Sequence, residues 1–281
     1  VKSSYRLSAE MTKNINPLRM SPQTIRPAGH RGHSAGAPEN TLAAFRKAYE
    51  IAGKGVTCET DLALTSDGEL VLMHDETVER TTNGHGLVSN MTYQEITKLD
   101  AGRWFGEAFV GERVPRLRDA LCLARELGII YQLELKVYGR DQIIFPKLRA
   151  LIDELDCADL LQFSSFNFVQ LRAVKKAIPE VPTVGLTYSR FINPAAVARE
   201  ANLDAVNLEI QHFPNGEAYQ LRKEGFAVFL IVPRPEKLEI LKSYGLDVEA
   251  QVIDAIRRGL LDQLIGDDVA QVVRIIDKAR G

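Results

Sequence analysis

The sequence predicts an α/β protein: a closed (β/α)8 TIM barrel carrying a small inserted subdomain. Short apolar, β-branched runs alternate with amphipathic stretches from residue 25 onward, the pattern of β-α units around a parallel sheet. Eight such runs occur, matching a barrel of about 250 residues in size and strand number. No Gly-x-Gly-x-x-Gly turn follows the first run. An open doubly wound sheet, the alternative architecture, normally carries one there.

The eight expected strands span residues 25–28, 55–61, 129–137, 160–164, 183–187, 205–209, 227–232 and 263–266. A further run, 70–74, follows the turn sequence Ser66-Asp67-Gly68 and reads as a hairpin return. Residues 41–52 place Leu42, Phe45 and Ala48-Tyr49 on one side. Residues 167–178 set Leu171 and Val174 against a lysine pair, and residues 235–244 and 267–279 repeat apolar positions three or four apart. Each stretch fits a helix laid over a sheet. Residues 76–120 break the rhythm: Arg80-Thr81-Thr82-Asn83-Gly84 reads as a turn, and Trp104, Phe105 and Phe109 gather later. A span this long without a β-α unit is expected to be an insertion packed over one end of the barrel. Residues 1–24 are polar and read as a loosely ordered lead-in to a barrel domain at 25–281.

The 281 residues are 45% hydrophobic, enough for an ordinary core. The formal charge of −2 gives no basic stripe for nucleic acid, so an anionic ligand needs a local site. Cys58, Cys122 and Cys157 are too widely spaced for a disulfide framework or a zinc site. They read as small apolar residues in a reducing, cytoplasmic compartment. No apolar run has the length of a membrane helix, so no stable membrane anchor is expected. Oligomeric state is not legible.

The chemistry concentrates in a few short motifs. Residues i and i+2 of a strand share a face, so Glu59 and Asp61 point together, as do Glu134 and Lys136. The C-terminal strand ends of a barrel build its active site. Carboxylates there, within apolar runs, are costly unless paired or bound to a cation. Glu134 and Lys136 alone read equally well as a buried ion pair. Adding Glu59 and Asp61 favours a hard divalent cation, Mg2+ or Ca2+, with oxygen ligands. His30 follows the first strand and His74 ends the hairpin return. A lone histidine is usually structural, but two near a carboxylate cluster suit acid–base work near neutrality. Arg31 offers a planar fork to phosphate oxygens, and Gly29 and Gly32 would let backbone approach a ligand closely. His33 and His85 read as solvated loop residues, and His212 as a residue of the mouth. Asn40 and Thr41 are helix-start types, with Glu39 placed to hold a site residue.

In order and spacing, H-R-G, P-E-N-T, E-T-D-L-A-L-T-S-D-G, V-L-M-H-D-E-T-V-E-R-T-T-N-G-H-G and L-E-L-K resemble the glycerophosphodiester phosphodiesterases. The resemblance runs from His30 to near the end, with Ser164-Ser165-Phe166 similar to the family's serine-phenylalanine strand end. It implies a (β/α)8 barrel with an inserted subdomain and a divalent cation on Glu59, Asp61 and Glu134. It further implies that His30 and His74 form the acid–base pair and that Arg31 and Lys136 contact phosphate. The implied reaction cleaves a small-molecule phosphodiester of lipid metabolism, a deacylated phospholipid, into glycerol 3-phosphate and an alcohol. The substrate's own neighbouring hydroxyl is a possible first nucleophile, giving a cyclic phosphate that water then opens. The second half departs from the family. Leu230-Ile231-Val232-Pro233 stands where Trp-x-Val-Asn is common, Gly266-Asp267 stands where Thr-Asp is common, and residues 247–258 add a helical segment. These positions are expected to contact the alcohol or glycerol. They leave open a sugar phosphodiester, such as an agrocinopine-like opine, or a lyase that stops at the cyclic phosphate.

Overall fold

The computed structural model describes residues 16–210, 213 and 216–281. Nine strands form one sheet: β1 (Arg26–Gly29), β2 (Thr57–Leu64), β3 (Leu70–Leu72), β4 (Ile130–Leu135), β5 (Leu161–Ser165), β6 (Thr183–Leu186), β7 (Ala205–Leu208), β8 (Ala227–Ile231) and β9 (Gln263–Gly266). Their order is β1-β9-β8-β7-β6-β5-β4-β2-β3, and a further parallel pairing of β1 with β2 closes the ring. The ring holds eight parallel strands. Strand β3 lies outside it, antiparallel to β2, as the hairpin reading expects.

Helices α1 (Leu42–Ala52), α3 (Leu117–Leu127), α4 (Asp141–Leu155), α5 (Phe168–Ala177), α6 (Pro194–Glu200), α7 (Glu217–Lys223), α8 (Pro235–Ser243), α9 (Val248–Arg257) and α10 (Val269–Arg280) accompany the barrel, and the short α2 (Tyr93–Ile96) lies in the insertion. Side-chain caps set several starts. Thr41, Asn167, Asn193, Asp247 and Asp268 each accept a backbone N–H from the first turn that follows, satisfying donors the helix cannot. Helices and sheet share one continuous core containing Phe45, Tyr131, Phe163, Leu171, Leu230 and Val272. Helix α9 is the extra segment expected in residues 247–258.

A second core cluster joins Ala28, Val184, Ala205, Ala227, Phe229 and Ile265 with Leu18. Leu18 is only 3% exposed, so the lead-in is not loose from Asn16 onward. Asn16 Nδ2 donates to the Asp204 carbonyl at 2.6 Å, Arg19 Nη1 to the Arg222 carbonyl at 3.0 Å, and the Met20 N–H to Asp262. Those partners lie just before β7, in α7 and just before β9, so residues 16–24 cover the N-terminal end of the barrel; residues 1–15 of the lead-in lie outside the described residues.

The insertion ends earlier than residue 120, because Leu117 already starts α3 and is buried in the main core. It has its own core of Val78, Val88, Ile96, Ala101 and Val114, with Val71 and Met73 from the hairpin return. Trp104, Phe105 and Phe109 pack edge to face. No described helix is long and apolar enough to cross a membrane.

Asp262, fully buried, pairs with Arg222 and accepts the N–H groups of Met20 and Val228. Removing one side of a buried pair leaves the other charge uncompensated. Asp262→Ala should therefore lower the unfolding free energy by about 3 kcal/mol in denaturant titration. A loss too small to shift the midpoint would contradict the role given to this knot.

Candidate active site

The turn after β1 begins the site. A Cβ on Gly29 would meet the Gly32 carbonyl oxygen at 2.4 Å, and one on Gly32 (φ +81°) would meet the backbone of Ala44 in α1 at 2.8 Å. These glycines serve a tight turn packed on a helix. Between them Arg31 takes a left-handed φ of 58°, a conformation held only where surroundings enforce it. Its N–H donates to Glu59 Oε2 at 3.0 Å. Its guanidinium reaches Glu39 Oε1 at 2.8 Å and Asp61 Oδ2 at 3.5 Å.

Glu59 and Asp61 come from β2, and the parallel register sets Asp61 beside Glu134 of β4. One oxygen from each of the three carboxylates lies within 4.8 Å of the others, and all three residues are buried. Burial pushes the Glu59 carboxyl well above its usual range, and the charges of Asp61 and Glu134 push the same way. Burial, then Asp61, raises Glu134 to about 7. Lys136 Nζ stands 3.3 Å from Asp61 Oδ1 and forms no ion pair with Glu134 among the described residues. That disfavours the reading of Glu134 and Lys136 as a private pair. Asp61 Oδ1 is buried without a hydrogen-bond partner. Crowded hard oxygens with one left unsatisfied fit a Mg2+ or Ca2+ ion.

Asn40 does more than start a helix. Thr41 caps α1, whereas Asn40, at φ 57°, donates to Asp61 Oδ2 at 2.9 Å and accepts from Thr60 Oγ1 at 2.7 Å. It orients a carboxylate of the cluster.

Both histidines are held from behind. His30 Nδ1 is 2.7 Å from Asp267 Oδ1, and His74 Nδ1 is 2.6 Å from Asp75 Oδ1. A carboxylate on Nδ1 favours the tautomer that leaves Nε2 for proton transfer. Burial would raise the Asp267 carboxyl, but its hydrogen bond and charge contact with His30, and those with Arg234, outweigh it and hold it well below the usual range. Arg80 does most to hold Asp75 low, against burial and with help from His74. Arg80 also grips both oxygens of Glu39 at 2.7 and 2.8 Å. A chain of ion pairs thus runs Arg31–Glu39–Arg80–Asp75–His74.

His30, Arg31, Glu59, His74, Glu134 and Lys136 line one open cavity of about 240 Å³. Asp61 is close behind them. The far wall carries Phe166 and Tyr188, stacked at 4.6 Å, with Tyr138 and Ile231. Sequence reasoning did not assign Asp75, Arg80 or these aromatic residues. It placed Asp267 at the alcohol, but the residue contacts His30. His33 is not a solvated loop residue: its Nδ1 accepts the Val269 N–H at the start of α10. His85 is exposed. His212 lies outside the described residues.

Fold and site define a barrel with two carboxylate-backed histidines, an arginine, a lysine and three carboxylates gathered at its C-terminal strand ends. The chain is 35% identical over 261 residues to the glycerophosphodiester phosphodiesterase of Caldanaerobacter subterraneus subsp. tengcongensis, covering 89% of this chain and 96% of that one. It is similar to the structure of an Oleispira antarctica phosphodiesterase in complex with the product sn-glycerol-3-phosphate (TM-score 0.77, 27% identity, 92% and 100% coverage). It is also similar to a glycerophosphodiester phosphodiesterase from Agrobacterium tumefaciens (TM-score 0.72, 25% identity, 89% and 99% coverage). The family model for the glycerophosphoryl diester phosphodiesterase family matches residues 30–268, and the chain belongs to that family. It is a phosphoric diester hydrolase.

Glu134 gives a pH test. Its carboxyl rises from the usual 4.5 to about 7 in the fold, so the folded state keeps a proton that the unfolded chain releases. Stability of the metal-free protein should therefore fall as pH rises between those values. Divalent-ion binding should weaken as pH falls through the same window, because the proton competes. Unfolding titrations of metal-free protein at several pH values check this, and Glu134→Gln should lose this component of the slope. An identical slope in that variant would contradict the assignment.

Proposed function

We propose that this chain hydrolyses glycerophosphodiesters to glycerol 3-phosphate and an alcohol, at the cavity bounded by His30 and His74. Glu59, Asp61 and Glu134 hold one divalent cation, Mg2+ or Ca2+. Arg31 and Lys136 contact the phosphate, and His30 and His74 form the acid–base pair. The observation that carries the reading is the pair of imidazoles, each backed by a carboxylate, facing the same cavity as the three-carboxylate cluster. The bound product of the Oleispira antarctica relative supports the glycerol phosphate half of the substrate. The three free thiols support the expected cytoplasmic setting.

The cation would supply charge neutralisation at the phosphodiester oxygens. Arg31, held between Glu39 and Asp61, keeps a fixed guanidinium face toward the anion, and Lys136 adds a mobile positive charge. One imidazole Nε2 takes the proton from the nucleophile while the other gives one to the leaving alkoxide. Asp267 and Asp75 stabilise whichever ring carries the extra proton.

The test is an assay on glycerophosphocholine. Chelation should abolish turnover, and Mg2+ or Ca2+ should restore it. His30→Ala and His74→Ala should each lower kcat by about 100- to 10,000-fold. Full turnover by chelated protein, or by His74→Ala, would contradict the reading.

A further inference from the structure

Lys136 stands one residue beyond β4, whose pairing with β2 ends at Leu135 and with β5 at Glu134. The sheet therefore does not fix its backbone, and residues 136–140 run free of the ladder to Asp141 at the start of α4. The carbonyls on either side of Lys136 are both taken by the next β-α unit. Ser165 Oγ, at the end of β5, donates to the Leu135 carbonyl at 2.9 Å. Gln170 Nε2, in the first turn of α5, donates to the Val137 carbonyl at 3.1 Å and to Asp141 Oδ1 at 2.7 Å. Gln170 Oε1 lies 3.3 Å from Ser165 Oγ, which joins the two side chains. Asn167 fixes the turn between them: its side chain accepts the Gln170 N–H, and its own N–H donates to Ser165 Oγ, both at 3.1 Å.

Gln170 is 2% exposed and Ser165 fully buried. A buried amide is costly unless its groups are bonded. Here the oxygen and the amide nitrogen are both bonded, and both bonds from the nitrogen go to the segment that carries Lys136. A lysine is a point charge on a flexible stem, so its backbone is the part the fold can aim. We propose that Gln170, acting with Ser165, is a positioning residue for Lys136. It holds the backbone on both sides of the lysine, so that the ammonium stays beside Asp61 Oδ1, at 3.3 Å, and over the cavity it lines. Phe166, between Ser165 and Asn167, lines the same cavity, so one clasp sets both the charge and part of the aromatic wall. The inference rests on the phosphate contact proposed above for Lys136. Misplacement of such a group by about 1 Å is enough to slow a reaction on the order of 100-fold.

A double-mutant cycle on glycerophosphocholine tests it. Lys136→Met should lower kcat/KM by about 100-fold. Gln170→Met keeps the side-chain length and loses the amide, and should lower kcat/KM roughly tenfold. In the Lys136→Met background the same change should cost less than about twofold, because the group it positions is gone. Ser165→Ala removes a single hydroxyl and should behave alike, with a loss of about fivefold that vanishes without Lys136. Should Gln170→Met fail to fold, Ser165→Ala decides by the same comparison. A purely structural clasp gives equal losses with and without Lys136. Equal losses in the two backgrounds, or full activity of Gln170→Met, overturn the positioning role and leave the phosphate contact standing. A fully active Lys136→Met, or a wild type inert toward glycerophosphocholine, overturns the reading beneath it, and the positioning role with it.

Discussion

Mutual repulsion among Glu59, Asp61 and Glu134 is the constraint around which the catalytic end is arranged. Their oxygens gather within 4.8 Å in a buried corner, where like charges are poorly screened. Neighbouring groups restrain the cluster without neutralising it. Arg31 sits in a strained conformation with its N–H on Glu59 and its side chain near Asp61. Asn40 binds Asp61, and Lys136 approaches the same residue. Burial first, and the neighbouring carboxylates second, raise the carboxyls of Glu59 and Glu134. A divalent ion is the ligand whose chemistry answers that deficit.

The insertion is coupled to this centre by charge as well as by packing. Arg80 bridges Glu39, from the loop before α1, to Asp75, which holds His74. The Arg31 guanidinium and the His74 ring are therefore oriented through one network. His30 is tied independently, by Asp267 at the end of β9. Closure of the barrel between β9 and β1 brings those two together, with Gly29 in register with Gly266. Each imidazole thus depends on a different part of the fold: His30 on the barrel's closure, His74 on the seating of the insertion.

The strands were legible because apolar, β-branched residues crowd together wherever a strand is buried on both faces. Cluster members Glu59 and Asp61 were legible because two-residue spacing fixes their common side. Their contact with Glu134 follows from parallel register, which a single segment does not disclose, but strand-end carboxylates in a barrel have few other places to meet. Asp267 was misplaced because it lies 237 positions from His30, and no local pattern encodes that contact. Asn40 looks like a cap in sequence, and only its left-handed backbone turns it inward onto Asp61. Helices α6 and α7, seven residues each, are too short for a clear apolar period. Helix α4 carries an internal Pro146 that reads as a breaker. The anchoring of residues 16–24 was not legible because it rests mainly on side-chain bonds to backbone carbonyls and one buried leucine, features that polar composition conceals.

The central claim is that three carboxylates converge to bind one hard cation. Calorimetric titration of metal-free protein with Mg2+ or Ca2+ near neutral pH tests it most directly. The account predicts saturable binding of a single ion per chain with release of protons, lost in Asp61→Asn. Absence of saturable binding, or an unchanged isotherm in that variant, would contradict it.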